Sequence, residues 1–172
     1  MNGEVANGPA DFRYAELRDE RALARLDRHT WSPLNSPVPL WGEDTNFFAN
    51  DPPDDVIVAV VSGIVVGYVK VRRNSELVSN AHVLVIGGLA VDPNEQRHGL
   101  GTALVEKAIE EATNSGAKQL KLHVLRTNAV AMRVYERCGF AVEAVLREEF
   151  LLDDVFVDDV IMAMSLSHVN TV

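Results

Sequence analysis

Two glycines near the start of an amphipathic helix constrain the fold of this chain more than any other sequence feature. Within residues 87–112, a predicted strand ends at Val91 and a predicted helix begins near Gly99. Glycine inside a helix is about 1 kcal/mol less favourable than alanine, so Gly99 and Gly101 need a local reason. The first N–H groups of a helix lack intrahelical partners, and an anion can approach them closely where no side chain intervenes. The stretch therefore predicts a phosphate-binding loop between a strand and a helix.

The spacing of this loop differs from that of two common phosphate-binding loops. There is no G-x-x-x-x-G-K-[ST], because Lys107 lies well inside the helix, and no G-x-G-x-x-G. Residues 96–101 read QRHGLG, which is the pattern Q-x-x-G-x-G. On these residues alone, two glycines that ease a tight turn from strand to helix are an alternative explanation.

The hydrophobic pattern of the rest of the chain predicts mainly strands. We expect them at residues 12–17, 56–61, 64–72, 82–91, 119–125, 140–152 and 155–166. Ser62 with Gly63, and Asp153 with Asp154, have the chemistry of tight turns between two such strands. Gly87 and Gly88 lie inside a predicted strand, where they indicate a bulge that frees backbone groups from the hydrogen-bond ladder.

Two further helices are expected outside the glycine loop. Asp19 can cap a helix that ends near Thr30, and Asn128 can cap a short helix that ends at Gly139. Between the first of these helices and the second strand, residues 31–53 contain five prolines and four aromatic residues. This segment is too rich in proline for a long helix and too aromatic for a solvated linker, so it is either a packed loop with a helical turn at residues 43–49 or a lid or wall beside a ligand-binding pocket.

A second motif lies in the run LHVLRTNAVAMRVYERCGF, where a strand precedes Asn128, Tyr135 follows seven residues later, and Gly139 precedes Phe140. With both motifs in this order, the chain resembles the GNAT superfamily of acetyl-CoA-dependent N-acetyltransferases from about residue 12 to residue 166. The resemblance implies an α+β fold, in which a mostly antiparallel, twisted sheet of about seven strands is splayed at the cofactor site and flanked by helices.

The resemblance also implies which residues bind acetyl-CoA. The backbone of the splayed strand would pair with the pantetheine arm, and the amides from Arg97 onward would bind the pyrophosphate. The Asn128 side chain would contact the cofactor arm, and the Tyr135 hydroxyl would face the thioester sulfur. The implied cofactor-binding residues of the strand and the loop are Leu89, Ala90, Val91, Gln96, Arg97, His98, Gly99, Leu100, Gly101 and Thr102.

Direct transfer to an amine requires a base for the amine proton and a proton donor for the leaving thiolate. We assign the donor to Tyr135, whose alternative role is that of a core aromatic residue. His123 is the candidate base, because some protein N-terminal acetyltransferases of this family have a glutamate at the position five residues before Asn128, and imidazole titrates near neutrality. Alternative bases are His82, Glu148, Glu149 and a chain of water molecules.

Composition limits the partners and the compartment. The net charge of -9 argues against nucleic acid and anionic membrane surfaces as main partners. Cys138 is the single cysteine, so neither an internal disulfide nor a cysteine-based zinc site can form, and we expect no metal. A cytoplasmic location fits best, because the N-terminus lacks a signal sequence. We expect a disordered tail at residues 1–10 and one N-acetyltransferase domain at residues 11–168.

The acceptor is less constrained by the sequence than the donor. The final hairpin is rich in carboxylates, which favours an amine of neutral to positive net charge, with aromatic contacts from Trp31 or Trp41. These carboxylates are Glu148, Glu149, Asp153, Asp154, Asp158 and Asp159. The late apolar strands with exposed edges are compatible with a homodimer. A non-catalytic acyl-CoA-binding sensor is the alternative function.

Overall fold

The computed structural model describes residues 8–40, 42, 46–96 and 98–166. Within them the chain forms one seven-stranded sheet and three α-helices. The strands are β1 (Asp11–Tyr14), β2 (Val56–Val61), β3 (Ile64–Arg73), β4 (Val83–Val91), β5 (Gln119–Leu125), β6 (Ala141–Leu152) and β7 (Val155–Ser165). The helices are α1 (Glu20–Thr30), α2 (Leu100–Asn114) and α3 (Ala129–Arg137).

The sheet is mostly antiparallel. Its strand order is β1-β2-β3-β4-β5-β7-β6, and the pair β4 with β5 is parallel whereas the other five pairs are antiparallel. This arrangement confirms the α+β class and the sheet expected from the sequence. The one parallel pair is joined by α2, as a parallel connection requires a crossover.

Both tight hairpins depend on residues in the left-handed region of backbone conformation. Ser62 and Gly63 have φ values of 51° and 81°, and Asp153 and Asp154 have φ values of 47° and 62°. Two consecutive residues with positive φ give a turn whose twist matches the right-handed twist of the flanking strands. Glycine and aspartate tolerate this conformation better than β-branched residues, which explains why the strands reverse at these two places.

The helices lie on opposite faces of the sheet. Leu104 and Ala108 of α2 belong to a buried cluster that also contains Val69 of β3. Leu23 of α1 belongs to a second buried cluster, which contains Tyr68. Because consecutive residues of a strand point to opposite faces, α1 and α2 cover different sides of β3.

Asp19 does not cap α1 with its side chain, which corrects the sequence-based expectation. It stands at the N-cap position, but its carboxylate accepts hydrogen bonds from the Glu16 amide at 2.8 Å and from the Arg13 guanidinium at 2.7 Å. The hydrogen bond and charge of Arg13 lower the pKa of Asp19. The residue therefore closes the turn before the helix and links it to β1.

The second half of the proline-rich segment is a packed loop. Phe47 is 1% exposed, and its ring meets that of Tyr68 edge to face at 5.1 Å. The Phe47 amide donates to the carboxylate of Glu20 in α1. Lys70 Nζ lies 4.1 Å from the centre of the Phe47 ring and 3.0 Å from Asp51 Oδ2. These contacts anchor residues 46–51 to α1 and β3, whereas part of the helical turn expected at residues 43–49 lies outside the described residues.

None of the described helices combines the length and the apolar character that crossing a bilayer requires.

Candidate active site

A gap opens in the middle of the sheet where β4 and β5 part. Their parallel pairing starts at Val83 with Gln119 and ends at Ile86 with Leu122, although each strand continues beyond that point. Next to the gap, Lys70 pairs with Gly88 and Val71 pairs with Ile86, so Gly87 has no partner in β3. This confirms the bulge expected at the two glycines, and it marks the place where β4 turns away from β5.

In β4, the backbone N–H and C=O groups of two residues face the gap. The Asp92 amide donates to the Val66 carbonyl of β3 at 2.8 Å. In an antiparallel pair, hydrogen-bonded residues alternate with residues whose backbone groups face the other way. The backbone groups of Ala90 therefore face β3, and those of Leu89 and Val91 face the gap. Of the three strand residues expected at the cofactor, two present backbone groups where a ligand can reach them.

The glycine loop ends at a helix terminus with unpaired amides. Gly99 is the N-cap of α2, with φ of 80°, and the Ala103 amide donates to the Gly99 carbonyl at 3.0 Å. The next amides, those of Leu100, Gly101 and Thr102, donate to no acceptor among the described residues. Three N–H groups of the first helical turn are thus available for an anion.

Gly99 and Gly101 call for different explanations. Gly99 is in the left-handed region, so the turn itself explains it. Gly101 is helical, and an added Cβ would meet only Val91 Cγ2, at 3.9 Å. Packing within the protein therefore leaves room for a side chain at Gly101. Easing of the turn accounts for one glycine but not for the other.

The remaining loop residues have different positions. The Gln96 side chain donates from Nε2 to the Val91 carbonyl at 3.0 Å, which fastens the loop to the end of β4. His98 is exposed, and the Leu100 side chain is buried. Arg97, which was also expected to contribute its amide, lies outside the described residues.

Asn128 and Tyr135 lie on the short helix that follows β5. The Asn128 side chain accepts a hydrogen bond from the Ala131 amide at 3.1 Å, which confirms the expected cap of α3. Tyr135 is 6% exposed and belongs to the same buried cluster as Val91 and Val124. Val91 is the last residue of β4, and Val124 is the penultimate residue of β5. Burial raises the pKa of the Tyr135 hydroxyl, so it is protonated at neutral pH. No described residue forms a hydrogen bond with that hydroxyl.

His123 lies at the opening of the gap on the other side of the sheet. It directly follows Leu122, the last residue of β5 that pairs with β4. Leu122 and Val124 point toward the cluster under α2 and α3, so the alternating side chain of His123 points toward the face covered by α1. Its Nδ1 is 2.6 Å from Oδ2 of Asp159 on β7, and the His123 side chain is 53% exposed. His82, an alternative base, precedes the opposite end of β4 and lies away from the gap.

The carboxylates of the final hairpin do not form one surface. Asp153 and Asp154 make the turn, as expected from the sequence, and Asp159 is only 4% exposed, so Asp159 does not contribute to an exposed carboxylate surface. Glu148 and Glu149 are exposed within an irregularity of β6 between Leu146 and Phe150. The Glu148 amide donates to Asp158 Oδ1 at 3.0 Å, which helps to hold this bulged segment beside β7.

The first half of the proline-rich segment approaches the turn before Asn128. Thr127 Oγ1 donates to the Leu34 carbonyl at 2.9 Å, and the Trp31 indole donates to the Val38 carbonyl at 2.8 Å. Leu34 and Val38 are exposed on this segment. The segment thus borders the site, whereas Trp41 lies outside the described residues.

Cys138 is poorly suited to nucleophilic chemistry. It follows the last residue of α3, is partly buried, and has its thiol pKa raised by burial and by the charge of Glu106. A raised pKa reduces the thiolate population, which is the reactive form. In the described part of the chain, no three His, Cys, Asp or Glu side chains are grouped as a metal site would require.

The sequence and the fold were compared with those of known protein families. The model of the Acetyltransferase (GNAT) family matches residues 16–140. The Salmonella typhimurium protein yncA, whose structure contains its cofactor acetyl-CoA, has the same fold with a TM-score of 0.75 and 20% identity over 94% of this chain and 96% of that one.

Two curated relatives from Escherichia coli strain K12 are similar in sequence. The ribosomal protein bS18-alanine N-acetyltransferase is 40% identical over 79 residues, which are 46% of this chain and 53% of the relative. This chain therefore matches about half of the length of that relative. The L-amino acid N-acetyltransferase AaaT is 28% identical over 159 residues, covering 88% of this chain and 95% of the relative.

Proposed function

The chain belongs to the GNAT family of acetyltransferases, and we propose that it transfers an acetyl group from acetyl-CoA to a primary amine of a small molecule or a peptide, directly within a ternary complex. The observation that supports this most directly is the gap between β4 and β5, which begins after Ile86 and Leu122 and has unpaired amides at its rim. Candidate acid and base residues approach this gap from opposite faces of the sheet.

The described residues fit the donor. Acetyl-CoA supplies a thioester-bound acetyl group, a pantetheine arm with two amides, and a pyrophosphate. The amides of Leu100, Gly101 and Thr102 are placed to bind phosphate oxygens at the positive end of α2. The backbone groups of Leu89 and the amide of Val91 are placed to bind the arm, whereas the Val91 carbonyl accepts a hydrogen bond from Gln96. Asn128 uses its side-chain oxygen as a helix cap, so its Nδ2 group is the part that can contact the arm.

The proton transfers are assigned to two side chains. The Nε2 atom of His123 takes the proton that the amine loses as its nitrogen forms the bond to the acetyl carbon. The carbon–sulfur bond then breaks, its electron pair goes to sulfur, and the Tyr135 hydroxyl donates a proton to that sulfur. The tyrosine recovers its proton from solvent, and the His123 imidazolium releases the amine proton to solvent. General acid and general base assistance each contribute about 10²- to 10⁴-fold to a rate.

We propose an acceptor of neutral to positive net charge. Glu148 and Glu149 are exposed on the bulge of β6, on the strand that flanks the His123-bearing β5–β7 pair. The names of both Escherichia coli relatives state an amino acid or an alanine residue as the acetylated group, so amino acids and alanine-terminated peptides are the first acceptors to test.

An electrostatic contribution to acceptor binding predicts a salt effect. We expect kcat/KM for the best acceptor to fall as ionic strength rises, because exposed charges are screened over about 10 Å at 0.1 M salt. The variants Glu148→Gln and Glu149→Gln should reduce both kcat/KM and its dependence on salt. Glu76→Gln, an exposed carboxylate in the loop between β3 and β4, serves as a control of equal charge change. An acidic best acceptor, or kcat/KM insensitive to salt and to both variants, contradicts this assignment.

The proposed reaction is tested by release of free thiol from acetyl-CoA in the presence of amines, amino acids, peptides and aminoglycosides. Thermal shift with acetyl-CoA, compared with NAD and ATP, measures donor binding separately. We expect acetyl-CoA alone to raise Tm and at least one amine to release the thiol. Stabilisation by acetyl-CoA without turnover of any amine indicates instead a non-catalytic acyl-CoA sensor, and the absence of stabilisation refutes both functions.

A further inference from the structure

In the described part of the chain, the buried carboxylate of Asp159 has one hydrogen-bond partner, the imidazole of His123. It lies on β7 with a side chain that is 6% exposed, and its Oδ2 atom is 2.6 Å from Nδ1 of His123. Among the described residues, no other group forms a hydrogen bond or an ion pair with this side chain. Removing a carboxylate from water is costly unless its interactions compensate for the loss, so a buried carboxylate that contacts only one imidazole needs an explanation.

The strand order brings the two residues together. Residues 123 and 159 are 36 positions apart, and they meet because β7 pairs with β5, where His123 is opposite Ile161 and Leu125 is opposite Asp159. Asp159 therefore lies diagonally across from His123 on the same face of the sheet, a separation that side chains of this length can bridge. The pair is built into the paired strands instead of a loop, which fixes the position of the imidazole.

We propose that Asp159 is a positioning residue that holds His123 in the tautomer with its proton on Nδ1. An ionised carboxylate accepts hydrogen bonds and cannot donate one, so the ring must present Nδ1–H to it. The Nε2 atom is then unprotonated and able to accept the amine proton. The same carboxylate stabilises the imidazolium that forms when Nε2 takes up this proton. This inference rests on the proposed function, because it assigns Asp159 a role through the proposed base.

A second ion pair lies close to the His123 pair and offers a control. Lys121, two residues before His123 on β5, forms an ion pair with Glu143 of β6 at 2.7 Å. The Lys121 pair lies on the same three strands as the His123 pair, and Glu143→Gln removes one carboxylate just as Asp159→Asn does. That variant is therefore a matched control for the change in charge.

The experiment observes the tautomer directly. Nitrogen-15 NMR of the neutral His123 ring, in the full-length protein without any substrate, should report the Nδ1–H tautomer. In Asp159→Asn, the side-chain amide can either donate to Nδ1 or accept from it, so the fraction of the neutral ring in the Nδ1–H tautomer should fall. In Glu143→Gln, the spectrum of His123 should be unchanged. A ring of the wild-type protein in the Nε2–H tautomer, or a fraction of the Nδ1–H tautomer that is the same in Asp159→Asn as in the wild-type protein, overturns the proposal.

Turnover provides the second measurement, with the best acceptor from the thiol-release screen. We expect Asp159→Asn to lower kcat by at least tenfold, and the double variant with His123→Gln to be no slower than His123→Gln alone, because both changes remove one function. Asp159→Glu should restore part of kcat if its longer carboxylate reaches Nδ1. If the tautomer changes but kcat does not, the role of Asp159 in the reaction is refuted while acetyl transfer itself stands. If the wild-type protein has no turnover, the proposed function fails while the tautomer result still tests the contact.

Discussion

Tyr135→Phe should lower kcat by between about 10-fold and 10⁴-fold, the range expected when a general acid is lost. The affinity for acetyl-CoA should change little, because the aromatic ring and its edge-to-face contact with Phe140 at 5.9 Å remain. Burial raises the pKa of the hydroxyl, so the wild-type residue is protonated over the whole range of assay pH. Steady-state kinetics with saturating donor, together with calorimetric titration of acetyl-CoA, separate the two effects.

A second tyrosine offers a control for this substitution. The Tyr14 hydroxyl donates to Glu111 at 2.5 Å at the surface, near the C-terminal end of α2 and therefore far from the glycine loop at its N-terminus. Tyr14→Phe should leave kcat unchanged. Wild-type turnover of Tyr135→Phe would show that Tyr135 is only a core aromatic residue, the alternative that sequence spacing leaves open.

Gly101→Leu should raise the dissociation constant of acetyl-CoA more than tenfold while the protein remains folded. The position is helical and has free space around an added Cβ, so the protein itself accommodates the first atom of a side chain. The leucine side chain would occupy the space that a ligand bound to the unpaired amides of the first helical turn needs. Calorimetry measures the affinity, and thermal unfolding measures the stability.

A smaller substitution at the same position separates binding from folding. Gly101→Ala should raise the free energy of unfolding, since alanine is about 1 kcal/mol more favourable than glycine inside a helix. Glu106→Leu places a leucine on the exposed side of the same helix and should leave the affinity for acetyl-CoA unchanged. A folded Gly101→Leu variant with wild-type affinity would eliminate the phosphate-binding role of this loop.

Local chemistry explains why much of the fold could be predicted. The turns at Ser62 and Gly63, and at Asp153 and Asp154, depend only on residues that tolerate positive φ. The start of α2 depends on Gly99, and the strand pattern follows from alternation within each segment. These features need no knowledge of which strands are neighbours, so a single sequence contains the information.

Contacts that depend on strand order could not be predicted in the same way. The pairing of Asp159 with His123 requires β7 to lie between β5 and β6, an order that no local pattern indicates. In the sequence, Asp159 is one of several carboxylates of the final hairpin, and no local feature distinguishes it from the others. The orientation of the Ala90 backbone groups similarly depends on the pairing of Ala90 with β3. The Asp19 carboxylate accepts a hydrogen bond from Arg13, and the position of Arg13 depends on how the chain turns between β1 and α1.

The proline-rich segment illustrates the same limit for packing. Its composition indicates that it packs against the rest of the domain, but its two halves pack in different ways. Phe47 is buried against Tyr68, whereas Leu34 is exposed on a stretch that is tied to Thr127. Which aromatic residue enters the core depends on the space between α1 and β3, and that space is defined by residues distant in sequence.

From the bulge at Gly87 onward, β4, the central strand of the sheet, is no longer paired with β5. Beyond Ile86, β4 is held along one edge by β3, and no strand among the described residues pairs with it along the other. An extended ligand with alternating amide donors and acceptors can occupy that edge as a substitute strand. The fold is then completed by its own substrate, so occupancy of the donor site and stability of the sheet are linked by mass action. A donor present at 100 times its dissociation constant adds about 2.7 kcal/mol to the free energy of unfolding.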